Sequence, residues 1–230
     1  VDDGYSLYIR PFIFASSEWI KASSSDEFTF MIITSPTINY YPGSIDLVIE
    51  QHFSRAANGG VGYAKAAGNY AGSFYPTKRA NARGFTQVIW TDSKEHKYIE
   101  ESGTMNIWFR IDNKLITPSL SDSILGGITR DSILKLAIDA GIDVEERIVS
   151  VDEILEASKN GTLQEAFGTG TAVTVVAVKS ITLEDIKMNI PTQENPMSMR
   201  FKKQLQDLQY GRSEDIFNWI SKVTSSITAF

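Results

Sequence analysis

In the first third of the chain, three runs dense in β-branched and aromatic residues, SLYIRPFIFA, EFTFMIITSP and IDLVIEQ, predict strands. The polar stretches SSEWIKASSSDE and YYPGS between them have the composition of loops and turns. Strand following strand without a helix reads as a meander. Further along, NYAGSFYPTKRANARG predicts a helix closed by Gly84, and Pro76 inside it implies a kink or a late start. TQVIWTD and MNIWFRIDNKLITP read as strands around a polar loop, SKEHKYIEESGT. In TRDSILKLAIDAGI the positions Ile133, Leu134, Ala137 and Ile138 give a helical stripe that Gly141 ends. SVDEILEASKNG predicts a second such helix, opened by a capping box of Ser150 and Glu153. EAFGTGTAVTVVAVKSI reads as strand, glycine turn, strand. ENPMSMRFKKQLQDLQYG reads as a late helix with Pro196 near its start and Gly211 after its end. The fold class is therefore α/β, and the early meander argues against a doubly wound sheet.

Composition narrows the chemistry. The 230 residues suffice for one large domain or two small ones, and 42% hydrophobic with 22% charged residues is ordinary for a folded protein. A formal charge of −6 and scattered basic residues argue against nucleic acid as a partner. The absence of cysteine excludes disulfides, thiolate metal sites and cysteine nucleophiles together. His52 and His96 are the only imidazoles and stand far apart, so neither a histidine triad nor a zinc site is expected. No apolar stretch approaches the roughly 18 residues of a membrane span, and Val1-Asp2-Asp3 does not open a signal peptide. These features lead us to expect a cytoplasmic protein with no metal and no membrane partner. A strand that begins almost at residue 1 leads us to expect the latter part of a longer protein.

The segment GGVGYAKAAGNY places Lys65 among small neutral residues with no carboxylate beside it. Such a setting lets backbone or a ligand approach closely and favours the neutral amine that Schiff-base chemistry needs. Glycines also cluster at Gly126-Gly127 before Ile128-Thr129, and at Gly168 and Gly170 before Thr171. Neither a dinucleotide fingerprint nor a Walker loop is present, since Lys65 stands where the former needs its third glycine. Each cluster alone is a turn, yet Ile128-Thr129 opens a helix whose free N–H groups suit a phosphate. Glu100-Glu101 reads as a solvated loop or as an acid pair at a site. Arg10, inside an apolar strand, is either on a wet face or a carboxylate clamp. Lysine, acid and helix end together match a ligand with an aldehyde, a basic ring nitrogen and a phosphate, as in pyridoxal 5′-phosphate.

Six segments, YIRPFIF, GGVGYAKAAGNYAGS, YIEESGTMNIWF, SILGGITRDSIL, FGTGTA and LQYGRSED, occur in the order found in the branched-chain-amino-acid aminotransferases, the fold-type IV pyridoxal-phosphate enzymes, which the chain resembles from Tyr8 to Asp215. The resemblance implies the family's large domain over 1–230, a pseudo-barrel of mixed strands flanked by helices, without the small N-terminal domain and its phosphate-binding arginine. It implies that Lys65 bears the cofactor, that Tyr70 meets its 3′-oxygen, and that Glu101 rather than Glu100 meets its pyridine nitrogen. Backbone amides at Ile128 and Thr129, with the Thr171 hydroxyl, would bind phosphate. Thr104 and the Ala172 amide would receive the substrate α-carboxylate, with Tyr8 and Arg10 lining the side-chain pocket and Arg10 meeting the distal carboxylate of glutamate. The implied activity is transfer of the amino group of L-leucine, L-isoleucine or L-valine to 2-oxoglutarate by a homodimer. D-Amino-acid aminotransferase, aminodeoxychorismate lyase and an inactive cofactor-binding module are the alternatives. The "GTMN" wording looks closer to the longer branched-chain subgroup. Val173 and Val176 stand where some of its members carry a redox cysteine pair.

Overall fold

The computed structural model describes residues 5–38 and 40–222. The chain divides between Pro42 and Gly43 into two compact units. In the first unit, strand β1 (Ser6–Ala15) pairs antiparallel with β2 (Phe28–Thr37), in register from Ser6 opposite Thr37 to Ala15 opposite Phe28.

The second unit holds a nine-stranded mixed sheet. Its third strand in the chain, β3 (Ile45–Ile49), corrects the meander expected from the early runs. It pairs with neither β1 nor β2 but runs parallel to β4 (Gln87–Thr91) and to β10 (Thr174–Leu183). The physical reason lies in its residues: after Asp46, Leu47, Val48 and Ile49 are buried in succession, and Ile45 before it is buried too, so both faces of the strand are covered. A hairpin meander with one wet face would alternate instead.

The expected loop SKEHKYIEESGT also needs correction, because its end forms β5 (Ile99–Ser102), antiparallel to β4. The run MNIWFRIDNKLITP divides into β6 (Asn106–Ile111) and β7 (Lys114–Pro118). Asp112 and Asn113 between them both have positive φ, +49° and +67°, the backbone signs of the tight hairpin turn that matches strand twist. Strands β8 (Val144–Arg147) and β9 (Leu163–Gly170) complete the order β5-β4-β3-β10-β9-β6-β7-β8, and β11 (Ile186–Asn189) pairs with the later half of β10. Because β5 also lies against β6 and β7, the sheet curls.

Helices flank it. Helix α1 (Gly68–Ala82) starts at Gly68, earlier than Pro76 suggested, and continues through that buried proline. Its Ala80 packs on Val48, Val88 and Trp90. Helix α2 (Ile128–Asp139) and α4 (Met197–Gln209) enclose a core with Trp108, Phe167 and Phe201 at its centre. Gly141 and Gly211 end these helices with φ of +68° and +66°. In α3 (Val151–Lys159) the Ser150 hydroxyl accepts from the Glu153 N–H at 3.0 Å as expected, but the Glu153 carboxylate turns to Arg147.

Candidate active site

Glu100 and Glu101 are neighbours on a strand, so they point to opposite faces, yet both are buried, at 8% and 4% exposure. Glu101 is held on three sides. Its Oε1 accepts the Leu125 N–H at 2.7 Å and the Asn106 side-chain amide at 3.4 Å. Its Oε2 lies 3.0 Å from Arg55 Nε in a buried ion pair. Burial pushes the Glu101 carboxyl up to about 7, opposed by the Arg55 charge and the Leu125 amide. The Glu100 charge adds to the rise, and the Lys65 charge works against it, so the lysine acts on the acid electrostatically. Glu100 accepts from the Ser123 hydroxyl, and burial raises its carboxyl too.

Arg55 is the residue that the sequence pattern did not single out. It stands in the loop after β3, outside the glycine segment, and no periodicity marks it. Besides its pair with Glu101, its Nη2 donates to the carbonyls of Gly62 (3.3 Å) and Ser123, joining the acid to the lysine loop and to the loop before α2.

Lys65 is exposed, in irregular chain just ahead of α1. The loop that carries it is tied from within and from outside. Asn69 Nδ2 donates to the Val61 and Ala64 carbonyls at 2.7 and 2.8 Å. Tyr63 N–H reaches the Asp122 carbonyl at 2.9 Å, and Gly59 N–H the Asp122 carboxylate at 3.0 Å. The close approach expected from the small residues occurs at Gly62. A Cβ there would lie 2.5 Å from Ala56 Cβ and 2.7 Å from both Asp122 O and Ser123 Cα. Tyr70, in the first turn of α1, is half-buried.

The N-terminus of α2 faces the same group of loops. Gly127 is the N-cap and no side chain caps the helix; its carbonyl receives the Asp131 N–H at 3.0 Å. The amides of Ile128, Thr129 and Arg130 therefore have no partner within the helix. Gly127 is required by proximity, since a Cβ would meet Asn106 Oδ1 at 2.2 Å. The same Asn106 donates to the Leu125 carbonyl at 2.8 Å, so the strand after Glu101 fixes the approach to the helix.

The glycine turn expected at Gly168 and Gly170 is displaced along the chain. Both glycines lie in β9, and residues 171–173 make the turn, followed by Thr174 at φ +57°. Gly168 lies within the ladder, paired with Ile107 and Val176, and the end of the Met105 side chain lies 3.0 Å from where its Cβ would be. The β6–β9 ladder places Asn106 opposite Thr169, just ahead of the turn at residues 171–173. Gly170 adjoins Thr104, whose carbonyl would be 3.8 Å from an added Cβ. Thr104, Thr171 and Ala172 are all exposed. Lys65, Glu101, Thr104, Ile128-Thr129 and Thr171-Ala172 thus belong to one connected set of loops and strand ends. Tyr8 and Arg10 lie outside this unit, on one face of β1, where Arg10 Nη2 donates to the Tyr8 hydroxyl at 2.7 Å and the guanidinium sits 5.1 Å over the tyrosine ring.

Comparison with known proteins accounts for this assembly of elements. The family described as amino-transferase class IV matches residues 2–181. The chain is 43% identical over 222 residues to a probable branched-chain-amino-acid aminotransferase of Staphylococcus epidermidis, covering 94% of this chain and 62% of that protein. It is 41% identical over 227 residues to branched-chain-amino-acid transaminase 1 of Bacillus subtilis, covering 96% of this chain and 64% of the relative. The chain thus spans somewhat under two thirds of the length of these relatives. Among solved structures, the branched-chain amino acid aminotransferase from Escherichia coli matches with a TM-score of 0.76 at 28% identity, over 94% of this chain and 68% of that one. The holo, PLP form of the enzyme from Thermobaculum terrenum matches with a TM-score of 0.71 at 25% identity, over 90% of this chain and 65% of its own. With a curled mixed sheet, flanking helices and most of its length matched by the family, the chain belongs to the class IV aminotransferases.

Proposed function

We propose that the protein is a branched-chain-amino-acid transaminase, moving the amino group of L-leucine, L-isoleucine or L-valine to 2-oxoglutarate with pyridoxal 5′-phosphate as carrier. The observation that carries this reading is Glu101: a buried acid, gripped by Arg55 and the Leu125 amide, whose charge is further favoured by Lys65. The residues present fit the cofactor, since an amine, a buried acid and a helix N-terminus with free amides answer its aldehyde, ring nitrogen and phosphate. When bound, the cofactor supplies an electron sink for the substrate Cα.

The chain's own residues do the rest. Lys65 would hold the cofactor between turnovers, and its freed amine would take the Cα proton and return it on the far side of the transferred nitrogen, at the cofactor carbon bonded to it. Glu101 in its ionised form holds a proton at the ring nitrogen, and Arg55 favours that form against the opposing effect of burial. The Ile128 and Thr129 amides and the Thr171 hydroxyl bind phosphate, with the positive end of α2 behind them. Tyr70 orients the ring through its hydroxyl. Thr104 and the Ala172 amide receive the α-carboxylate, and Tyr8 with Arg10 accepts the distal carboxylate of 2-oxoglutarate or glutamate. Support for the substrate class comes from the two relatives above 40% identity, both named for branched-chain amino acids. We take the enzyme to be a cytoplasmic homodimer, following the family resemblance.

The test is glutamate formation from L-leucine and 2-oxoglutarate in the presence of pyridoxal 5′-phosphate. The wild-type protein should produce it, Lys65→Ala should not, and D-alanine should not replace L-leucine. Turnover by Lys65→Ala, or activity with D-alanine alone, would overturn the proposal.

A further inference from the structure

One buried acid takes no part in the reaction just described. Glu100 accepts a hydrogen bond from the Ser123 hydroxyl with one oxygen, while its Oε2 is buried without a hydrogen-bond partner. Keeping a carboxyl out of water for one hydrogen bond costs a fold more than that bond returns, so the gain must lie in what the bond holds.

What it holds is the loop that serves Glu101. Ser123 is 1% exposed, and its carbonyl receives Arg55 Nη2, the arginine whose Nε pairs with Glu101. Two residues on, the Leu125 N–H grips Glu101 Oε1. The Asp122 carbonyl of the same loop receives Tyr63 from the lysine segment. Adjacent acids on β5 therefore grasp the 121–125 loop at two points, Glu100 at Ser123 and Glu101 at Leu125. A further contact, Ser121 Oγ to Ser123 Oγ at 3.2 Å, orients the hydroxyl from within the loop. The charged groups acting on Glu100 are Arg55, Asp92 and His96; those acting on Glu101 are Arg55, Glu100 and Lys65.

We propose that Glu100 is a positioning residue for Glu101: acting through Ser123, it fixes the 121–125 loop so that the Ser123 carbonyl holds Arg55 and the Leu125 amide holds the Glu101 carboxylate. The effect on the cofactor rests on the transaminase reading, but the effect on the loop does not.

The experiment uses four variants, Glu100→Ala, Ser123→Ala, the double variant and Glu100→Gln, with two readouts. One is the hydrogen-exchange rate of the Leu125 amide in the protein alone; the other is the dissociation constant for pyridoxal 5′-phosphate. Each alanine variant should speed the exchange and weaken binding about tenfold, the scale of one hydrogen bond to a charged group. The double variant should be no worse than either, because both remove the same bond. Glu100→Gln, whose side-chain oxygen still accepts from Ser123, should stay within about twofold of wild type. Wild-type Leu125 exchange in Ser123→Ala, or a glutamine variant as impaired as the alanine one, would overturn the proposal. If Glu100→Ala does not fold, Ser123→Ala and Glu100→Gln decide between these results. If the wild-type protein binds no pyridoxal 5′-phosphate, the transaminase reading falls, and Leu125 exchange still decides the role of Glu100.

Discussion

Replacing Glu101 by glutamine should remove a specific pH dependence of folding. Burial raises the Glu101 carboxyl from its ordinary value of 4.5 to about 7. A carboxyl raised in this way favours the folded protein while it is protonated. That contribution is complete below about pH 4.5 and is lost as the pH climbs through 7. The interval between the two values, at roughly 1.4 kcal/mol per pH unit, amounts to about 3 kcal/mol. Glutamine stands in for the protonated acid: it can still accept from Leu125 N–H, and it has no charge to be stripped of water. Urea unfolding of the cofactor-free protein between pH 4.5 and 8 is the assay. The stability of Glu101→Gln relative to wild type should rise by about 3 kcal/mol across that range. Parallel curves for the two proteins, or a wild-type protein that gains on the variant with increasing pH, would refute the reasoning.

Two further substitutions probe the contacts around that acid. Arg55→Met removes the counter-charge at 3.0 Å and the donor to the Gly62 and Ser123 carbonyls; it should cost roughly 3–5 kcal/mol in urea unfolding near pH 8, and less near pH 5, where Glu101 is protonated. An equal loss at both pH values would mean that the ion pair is not its main role. Gly62→Ala places a methyl group against backbone atoms of Asp122 and Ser123 that cannot yield; a loss of about 1–3 kcal/mol, read as a lower melting temperature, is expected. An unchanged melting temperature would count against tight apposition of the two loops.

The sequence was most readable where local chemistry and tertiary packing agree. The Ser150 cap and the glycines after α2 and α4 state their structure within a few residues, and the structure follows them; the α2 stripe holds at Ile133, Leu134 and Ala137, whereas Ile138 is exposed and Leu136 is buried in its place. It was least readable where distant chain supplies the partner. Glu100 and Glu101 look like loop residues because two adjacent acids normally seek water. They occupy a buried strand because Ser123, Leu125 and Arg55, all distant in sequence, engage Glu100 Oε1 and both oxygens of Glu101. The displacement of the turn from Gly168 and Gly170 is likewise tertiary: Gly168 pairs with Ile107 of β6, which the local sequence does not announce. Pairing of β3 with β10 rather than with its predecessors is also a long-range choice, visible locally only in the consecutive apolar residues Leu47, Val48 and Ile49. Within the candidate site, Lys65 and the glycine-bounded segments stood out by residue type, and Glu101 only through the family resemblance. Arg55 did not, because a lone arginine after a strand has no local signature.

The proposed chemistry depends on the amine of Lys65 as the point where pyridoxal 5′-phosphate is carried. Borohydride reduction of the protein mixed with that cofactor, followed by peptide mass spectrometry, tests it most directly. A phosphopyridoxyl mass is expected on the peptide containing Lys65 and on no other lysine, and it should be lost in Lys65→Ala. A mass found on another lysine, or spread over surface lysines with Lys65 unmodified, would contradict it.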